Sequence, residues 1–132
     1  MGILKYLLDT HTLLWAVRDD TKLGNSAREV LSDINTQIFV SAVSAYEIMY
    51  KHHLGKMQDF KDIADDYFNV IEQLSVVELP INMRHAHFAG TINWTHRDPF
   101  DRLLVAQAHV ENMIMITDDT AIKSLPWVNT LW

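Results

Sequence analysis

Two aspartates stand three residues apart in the segment DPFDRLLVAQA, residues 98–108, directly before an apolar helical pattern. Asp98, Pro99 and an acid at the third helical position form a typical helix start, so capping accounts for Asp98. Capping accounts less well for Asp101, because that position of a capping box prefers the longer Glu or Gln. On this segment alone, both a structural and a chemical role stay open for Asp101.

Further acids lie where predicted strands end and predicted helices begin. Asp9 ends an apolar run, and because a buried acid without partners is costly, its position favours a functional role. Glu47 lies in the first or second turn of the helix after the second strand, where the pattern SAYE also fits a capping box. Asp118 and Asp119 follow the fourth strand, and one of them can cap the next helix.

Short apolar segments alternate with amphipathic ones along the chain. Strands are predicted at residues 3–8, 37–40, 76–79, 113–117 and 127–131. Helices are predicted at residues 25–33, 43–54, 60–74, 83–92, 99–112 and 120–123. An apolar patch at residues 13–17 is not assigned to either type. The alternation predicts βαβ units, and therefore a single α/β layer structure with a mostly parallel sheet covered on both faces.

Local signals predict where several of these helices begin and end. Asn25 or Ser26 is expected to cap the first helix, Asp59 the acidic helix at residues 60–74, and Asn82 the helix that follows the third strand. Gly55 is expected to end the helix at residues 43–54 in a left-handed conformation.

The predicted topology brings the acids of the strand ends together. Helices that follow a strand, and helices that feed the next parallel strand, both begin at the carboxyl edge of the sheet, where such sheets bind ligands. Carboxylates within about 4 to 6 Å repel by roughly 3 to 4 kcal/mol per ionised pair at an effective dielectric constant near 20. A positive ion must then lie among them, and oxygen ligands without thiolates favour Mg²⁺ or Mn²⁺.

Length and composition limit the classes of function. At 132 residues and 48% hydrophobic residues, the chain fits one folded domain, residues 1–132. The absence of cysteine excludes disulfides and thiolate zinc sites and fits a reducing compartment. No apolar stretch approaches the ~20 residues of a membrane span, so we expect a cytoplasmic protein with no membrane partner. A net charge of −6 argues against a basic nucleic-acid platform, whereas a dication held by acids would bridge to phosphate oxygen.

The histidines and basic residues carry weaker signals. No histidine pair has the i, i+4 spacing of a helical zinc site, although the chain has seven histidines. His11 and His96 flank the predicted crevice and are candidates for contacts with phosphate or water. Four basic side chains are interpreted as ordinary surface charges that could also guide a nucleic-acid strand, namely Lys51, Lys56, Arg97 and Arg102.

Four segments resemble, in order and over nearly the whole chain, the PIN-domain ribonucleases and in particular the VapC-type toxins of toxin–antitoxin pairs. They read LLDTHTLLWA, SAVSAYEIMYKHHLGKM, LPINMRHAHFAGTINWTHRDPFDRLLVAQA and MITDD. The resemblance implies a three-layer α/β/α domain around a mostly parallel sheet of about five strands. It also implies a quartet that is both catalytic and metal-binding, formed by Asp9, Glu47, Asp101 and Asp119.

Other residues are assigned supporting roles beside this quartet. Thr10 and Thr117 are expected to hold the ligands by hydrogen bonds. The family's last motif, commonly Thr-x-Asp, selects Asp119, and Asp118 is its alternative. Asp98 mainly caps its helix and assists Asp101, which mainly binds metal.

The resemblance implies a Mg²⁺- or Mn²⁺-dependent endoribonuclease that cleaves RNA by metal-activated water. It further implies a homodimer and a VapB-like antitoxin that blocks the site and binds operator DNA. The alternative is a non-catalytic metal-binding or receiver-like module that acts through a protein partner. An aspartyl-phosphate phosphatase is disfavoured, because that class needs a second acid where His11 stands.

Overall fold

Residues 3–132 are described by a computed structural model, so that Met1 and Gly2 of the predicted domain lie outside the described residues. Five strands form one sheet in the order β3-β2-β1-β4-β5, and all neighbouring strands are parallel. The strands are β1 Lys5–Leu8, β2 Gln37–Ser41, β3 Val77–Leu79, β4 Ile114–Ile116 and β5 Thr130–Leu131.

Within the described residues, eight α-helices connect the strands. They are α1 Thr10–Arg18, α2 Asn25–Ser32, α3 Ala42–His53, α4 Lys61–Asp65, α5 Tyr67–Gln73, α6 Met83–Thr91, α7 Pro99–Val110 and α8 Thr120–Lys123. Two short 3₁₀ segments, Asp20–Lys22 and Gln58–Phe60, lie between them. No helix within residues 3–132 has the length and apolar character that crossing a membrane requires.

The sheet is covered on both faces by two separate apolar cores. Leu7 packs into one core with α6, α7 and α8, whereas its neighbours Tyr6 and Leu8 enter the other with α1, α2, α4 and α5. This alternation follows from the period of two in a strand. Helix α3 contributes to both cores, through Val43 and Ile48. The expected three-layer α/β/α class with a parallel sheet of five strands is thereby confirmed.

Several predicted boundaries differ from the structure. Residues 13–17 belong to a full helix, α1, whose N-cap is Asp9 itself. The helix expected at residues 60–74 is broken at Asp66, and Asp59 lies inside a 3₁₀ segment instead of capping a helix. Helix α2 begins after Gly24, which has no side chain to cap it, and not after Asn25 or Ser26. The left-handed Gly55, with φ 74°, confirms the predicted end of α3.

The strand order defines where the chain reverses its direction across the sheet. The chain leaves β1 toward β2 and β3 on one side, and leaves β4 toward β5 on the other. The gap between the carboxyl ends of β1 and β4 is therefore the switch point at which parallel sheets open a crevice. Asp9 directly follows β1, and Asp118 and Asp119 come two and three residues after the end of β4.

Gly24 should tolerate no side chain, because a β-carbon there would lie 2.5 Å from the backbone carbonyl carbon of Trp132. We expect Gly24→Ala to lower the free energy of unfolding by about 1 to 3 kcal/mol through overpacking. Gly90→Ala is the matched control, since Gly90 lies in α6 with open space around it, and it should stabilise by roughly 0.5 to 1 kcal/mol. Urea unfolding measures both, and equal effects of the two changes would contradict the close approach.

Candidate active site

Asp9 is held in a fixed orientation between β1 and α1. Its Oδ1 accepts the backbone N–H of Thr12 at 2.7 Å, as expected for an N-cap, and its Oδ2 accepts the hydroxyl of Thr117 beyond β4. The residue is 7% exposed. Burial raises the pKa of Asp9, while the hydrogen bonds from Thr117 and Thr12 and the nearby His11 oppose that rise.

Glu47 lies on α3 and is joined to the start of α1. Its Oε1 accepts the hydroxyl of Thr10 at 2.6 Å, and its Oε2 forms an ion pair with Lys51, one turn further along α3. Ser44 shares a hydrogen bond of 3.0 Å with the same Thr10 hydroxyl. Since Thr10 follows Asp9 directly, this contact couples the two buried acids through adjacent residues.

Asp101 occupies the first turn of α7 with two neighbours that can also bind a cation. Its Oδ2 contacts Nε2 of His96 at 2.7 Å. Asp98 caps α7 by accepting the backbone N–H of Phe100 and of Asp101. Burial raises the pKa of Asp101 to about 6, and the negative charges of Asp98 and Asp119 add to this rise against the hydrogen bond from His96.

Asp119 and Asp118 differ in their surroundings. Asp119 caps α8, with its Oδ1 accepting the backbone N–H groups of Ala121 and Ile122, and its own N–H bonds to the Thr117 hydroxyl. Asp118 instead forms an ion pair with Lys123 at 2.7 Å. Asp119 therefore shares Thr117 with Asp9, whereas Asp118 is turned toward a surface lysine.

The predicted acids lie at one edge of the sheet, where Thr117 and Thr10 link several of them by hydrogen bonds. Thr117 connects Asp9 with Asp119, and Asp119 is near enough to Asp101 to raise its pKa. Glu47 joins this edge through Thr10. Within residues 3–132, one set of three acids or histidines brings its ligand atoms within 4.8 Å of one another, and it consists of His96, Asp98 and Asp101. The four acids of the quartet do not form such a set among the described residues.

Two cavities flank α1 at this edge. The first, of about 230 Å³, is lined by Asp9, Asp118 and Asp119 together with α1 residues. The second, of about 390 Å³, lies between α1 and α3 and has Glu47 in its wall. His11 lines both cavities, so the acids border a continuous stretch of surface on either side of the start of α1.

A buried polar contact ties together the helices that present Glu47 and Asp101. Ser41 caps α3 by accepting the backbone N–H of Val43 and also bonds to the side-chain oxygen of Gln107 on α7. Gln107 is fully buried and donates to the carbonyl oxygen of Pro80 at 3.2 Å. Because an unpaired buried amide is costly, this contact fixes α7 against the end of β2.

Some residues that matter here were missed or read differently from the sequence. Arg102 donates to the carbonyl oxygens of Ala89, Ile92, Trp94 and His96, so it braces the loop before α7 instead of facing a nucleic acid. The pattern SAYE was interpreted as a possible capping box, but Ser41 is the N-cap of α3, and Ser44 and Glu47 both bond to Thr10 instead. His96 was expected to contact phosphate or water, and the structure gives it a carboxylate partner.

The donor set fits a hard divalent cation. Carboxylate oxygens and one imidazole nitrogen are available, and no thiolate competes for softer metals. Burial raises the pKa of both Asp9 and Asp101, which indicates negative charge that the protein's own groups do not fully compensate. A cation at this edge would remove that cost.

The fold and the site define an α/β protein with an acidic crevice at the switch point of its sheet. The PIN domain family matches residues 6–128, and the chain therefore belongs to the PIN domain family. Comparison with curated proteins gives no match. The family resemblance expected from the four sequence segments is thereby confirmed.

Three solved structures with the same fold are VapBC proteins. DNA-bound VapBC from Salmonella typhimurium matches with a TM-score of 0.71 and 19% identity over 98% of each chain. VapBC2 from Rickettsia felis, bound to a promoter DNA fragment, gives 0.70 and 18% over 97% of this chain and 98% of that one. VapBC-1 from nontypeable Haemophilus influenzae gives 0.68 and 18% over 97% of each chain. At these identities the matches show a shared fold.

The raised pKa of Asp101 predicts a pH-dependent stability. Below the 3.8 of a free aspartate, Asp101 is protonated in both states; above it, the folded protein holds the proton more tightly until pH passes about 6. The contribution of Asp101 to the free energy of unfolding is therefore fully present below pH 3.8. It decreases above that pH and is lost as the pH rises through about 6. Without divalent metal, Asp101→Asn should be more stable than the parent at pH 7.5 by about 1 to 3 kcal/mol.

Urea unfolding in EDTA at pH 4 and pH 7.5 measures this difference, which should become small at pH 4. Added Mn²⁺ should raise the melting temperature of the parent more than that of the variant. An Asp101→Asn protein that is less stable than the parent at pH 7.5 would show that the carboxylate is fully compensated within the protein.

Proposed function

We propose that the protein is a Mg²⁺- or Mn²⁺-dependent endoribonuclease and the toxin of a toxin–antitoxin pair. One observation carries this proposal: two buried carboxylates, Asp9 and Glu47, are oriented by threonine hydroxyls at the same sheet edge as the Asp98–Asp101 pair. Membership of the PIN domain family supports the nuclease activity. The likeness to VapBC chains supports the role as a toxin.

The acids divide the work of binding the cation. We assign Asp9, Glu47, Asp101 and Asp119 as metal-binding catalytic residues, with Asp98 and Asp118 in supporting positions. When bound, Mg²⁺ or Mn²⁺ supplies Lewis acidity that polarises the phosphoryl oxygen and makes water a better nucleophile. Thr117 and Thr10 fix the rotamers of Asp9 and Glu47, so the ligands need little reorganisation on binding.

His96 is added to this set on structural grounds. Its Nε2 lies 2.7 Å from Asp101 and can either orient that carboxylate or act as a nitrogen ligand itself. Lys51 balances the charge of Glu47 before the cation binds.

The proposed partners are inferred from the solved structures that share this fold. Those structures are complexes of VapB with VapC chains, and two of them contain DNA. We propose a VapB-like antitoxin that covers the acidic edge, operator DNA bound through that antitoxin, a homodimer of this chain, and action in the cytoplasm. A single-stranded RNA substrate binds at the same acidic edge.

Loss of either buried acid should abolish cleavage without unfolding the protein. Asp9→Asn keeps an oxygen that can cap α1, and Glu47→Gln keeps an acceptor for Thr10, yet both remove a charged ligand. Each should lower the cleavage rate of single-stranded RNA by at least about 100-fold, since even groups that only orient metal ligands cost roughly 10- to 100-fold. EDTA should abolish cleavage and Mg²⁺ or Mn²⁺ should restore it.

Glu72→Gln is the matched control, because Glu72 is an exposed acid on α5 and should leave the rate unchanged. Water that attacks the phosphorus and displaces the 3′ oxygen leaves 5′-phosphate and 3′-hydroxyl ends, and analysis of both ends of the fragments tests for these products. Full cleavage by Asp9→Asn, or in excess EDTA, would rule out this mechanism. Tight Mn²⁺ binding with no turnover of transfer, messenger or ribosomal RNA would favour the non-catalytic metal-binding module.

A further inference from the structure

A cavity of about 390 Å³ opens between α1, α3 and the segment of residues 55–60, and we call it the α1–α3 cavity. Its volume falls in the range of small-ligand sites, roughly 300 to 1,000 Å³. Apolar side chains form part of its lining, namely Leu14, Ile48, Met57 and Phe60. The left-handed Gly55 turns the chain after α3, so that Lys56 and the residues after it face α1.

The same cavity carries both signs of charge in its wall, with the acids Glu47 and Asp59 beside basic groups. Lys51, Lys56 and His11 all line it. Lys51 is engaged with Glu47, whereas Lys56 forms no ion pair with any of residues 3–132. Because Lys56 is exposed beside the apolar part of the α1–α3 cavity, the cavity suits a ligand with an anionic group and a flat apolar face.

Gln58 and Asp59 add polar groups that such a ligand could use. An amide side chain and a carboxylate can pair with the donor and acceptor edges of nucleobases. Glu47 lies in the cavity wall and at the acidic edge at once, so a ligand in the cavity would continue directly into the candidate active site.

We propose that the α1–α3 cavity is a subsite for one unpaired nucleotide of an RNA strand, adjacent to the phosphate that is cleaved. Lys56 contacts the backbone phosphate, and the base packs against Phe60 and its apolar neighbours, beside the Arg18 guanidinium that lies 5.7 Å from the centre of the Phe60 ring. This inference rests on the proposed ribonuclease function. Because a base must leave its stack to enter the α1–α3 cavity, the cavity selects single-stranded RNA over a stacked duplex.

Binding should be measured with the Asp9→Asn protein in Mg²⁺, using a fluorescein-labelled single-stranded octanucleotide RNA and the same RNA in a duplex. Lys56→Met in this background should weaken single-strand binding about 3- to 10-fold and reduce the slope of log K against log salt by about 0.7. Phe60→Leu should weaken binding about 5-fold or more by removing an aromatic face. The duplex should bind more weakly than the single strand.

Matched controls exist for both substitutions. Lys5→Met changes the same charge at the opposite edge of the sheet, and Phe68→Leu removes an exposed aromatic ring on α5, outside the cavity. Both should bind RNA like the Asp9→Asn parent. Thermal melting checks that each variant is folded, and if Phe60→Leu is unfolded, Lys56→Met and its salt slope decide alone.

RNA binding that neither Lys56→Met nor Phe60→Leu weakens, or no RNA binding at all, would overturn the subsite. Equal affinity for the duplex would overturn its selectivity. Since binding at equilibrium needs no turnover, the two ideas fail separately. A protein that binds as expected but never cleaves RNA would refute the proposed function and leave only the binding of a nucleotide in the cavity, without an adjacent cleaved phosphate.

Discussion

Partial burial of negative charge is the constraint on which the carboxyl edge of this sheet depends. Asp9 and Glu47 are 7% and 5% exposed, and removing a carboxylate from water costs several kcal/mol unless donors replace the lost hydration. Threonine hydroxyls and backbone N–H groups provide those donors. The edge therefore holds its acids in fixed orientations at a cost in stability, an arrangement more easily explained by ligand binding than by folding alone.

The compensation of charge is uneven along this edge. Glu47 has a full counter-charge in Lys51, but the donors to Asp9 are neutral, and Asp101 shares its surroundings with two further acids. Hydrogen bonds orient a carboxylate without removing its charge. The uncompensated charge thus concentrates between β1, β4 and the start of α7, where a dication would have most effect on stability as well as on reactivity.

The layer order and the shared edge could be predicted because apolar runs and helix caps are local signals. The caps at Asp98 and Asn82 and the left-handed Gly55 are examples. The break at Asp66 carries no proline or glycine, so nothing local announces it. The contacts Thr10–Glu47 and Thr117–Asp9 join residues 37 and 108 positions apart. Such pairs depend on how the helices pack against one another. The sequence therefore identified the four residues as candidates but could not show which residue bonds to which.

Under the proposed function, this acidic chain must obtain its binding energy for a polyanion from contacts at short range. At physiological salt the screening length is about 8 Å, so the overall charge of −6 affects a bound strand less than the groups that touch it. Lys123 beyond β4 is paired with Asp118, and Lys51 on the α3 side is paired with Glu47, but Lys56 on the α3 side forms no ion pair within residues 3–132. Because of this asymmetry, a bound RNA strand would make its basic contacts beside α3 and few contacts beyond β4. Few phosphates are then contacted, and discrimination rests on the shape of the hollow and the position of the acids.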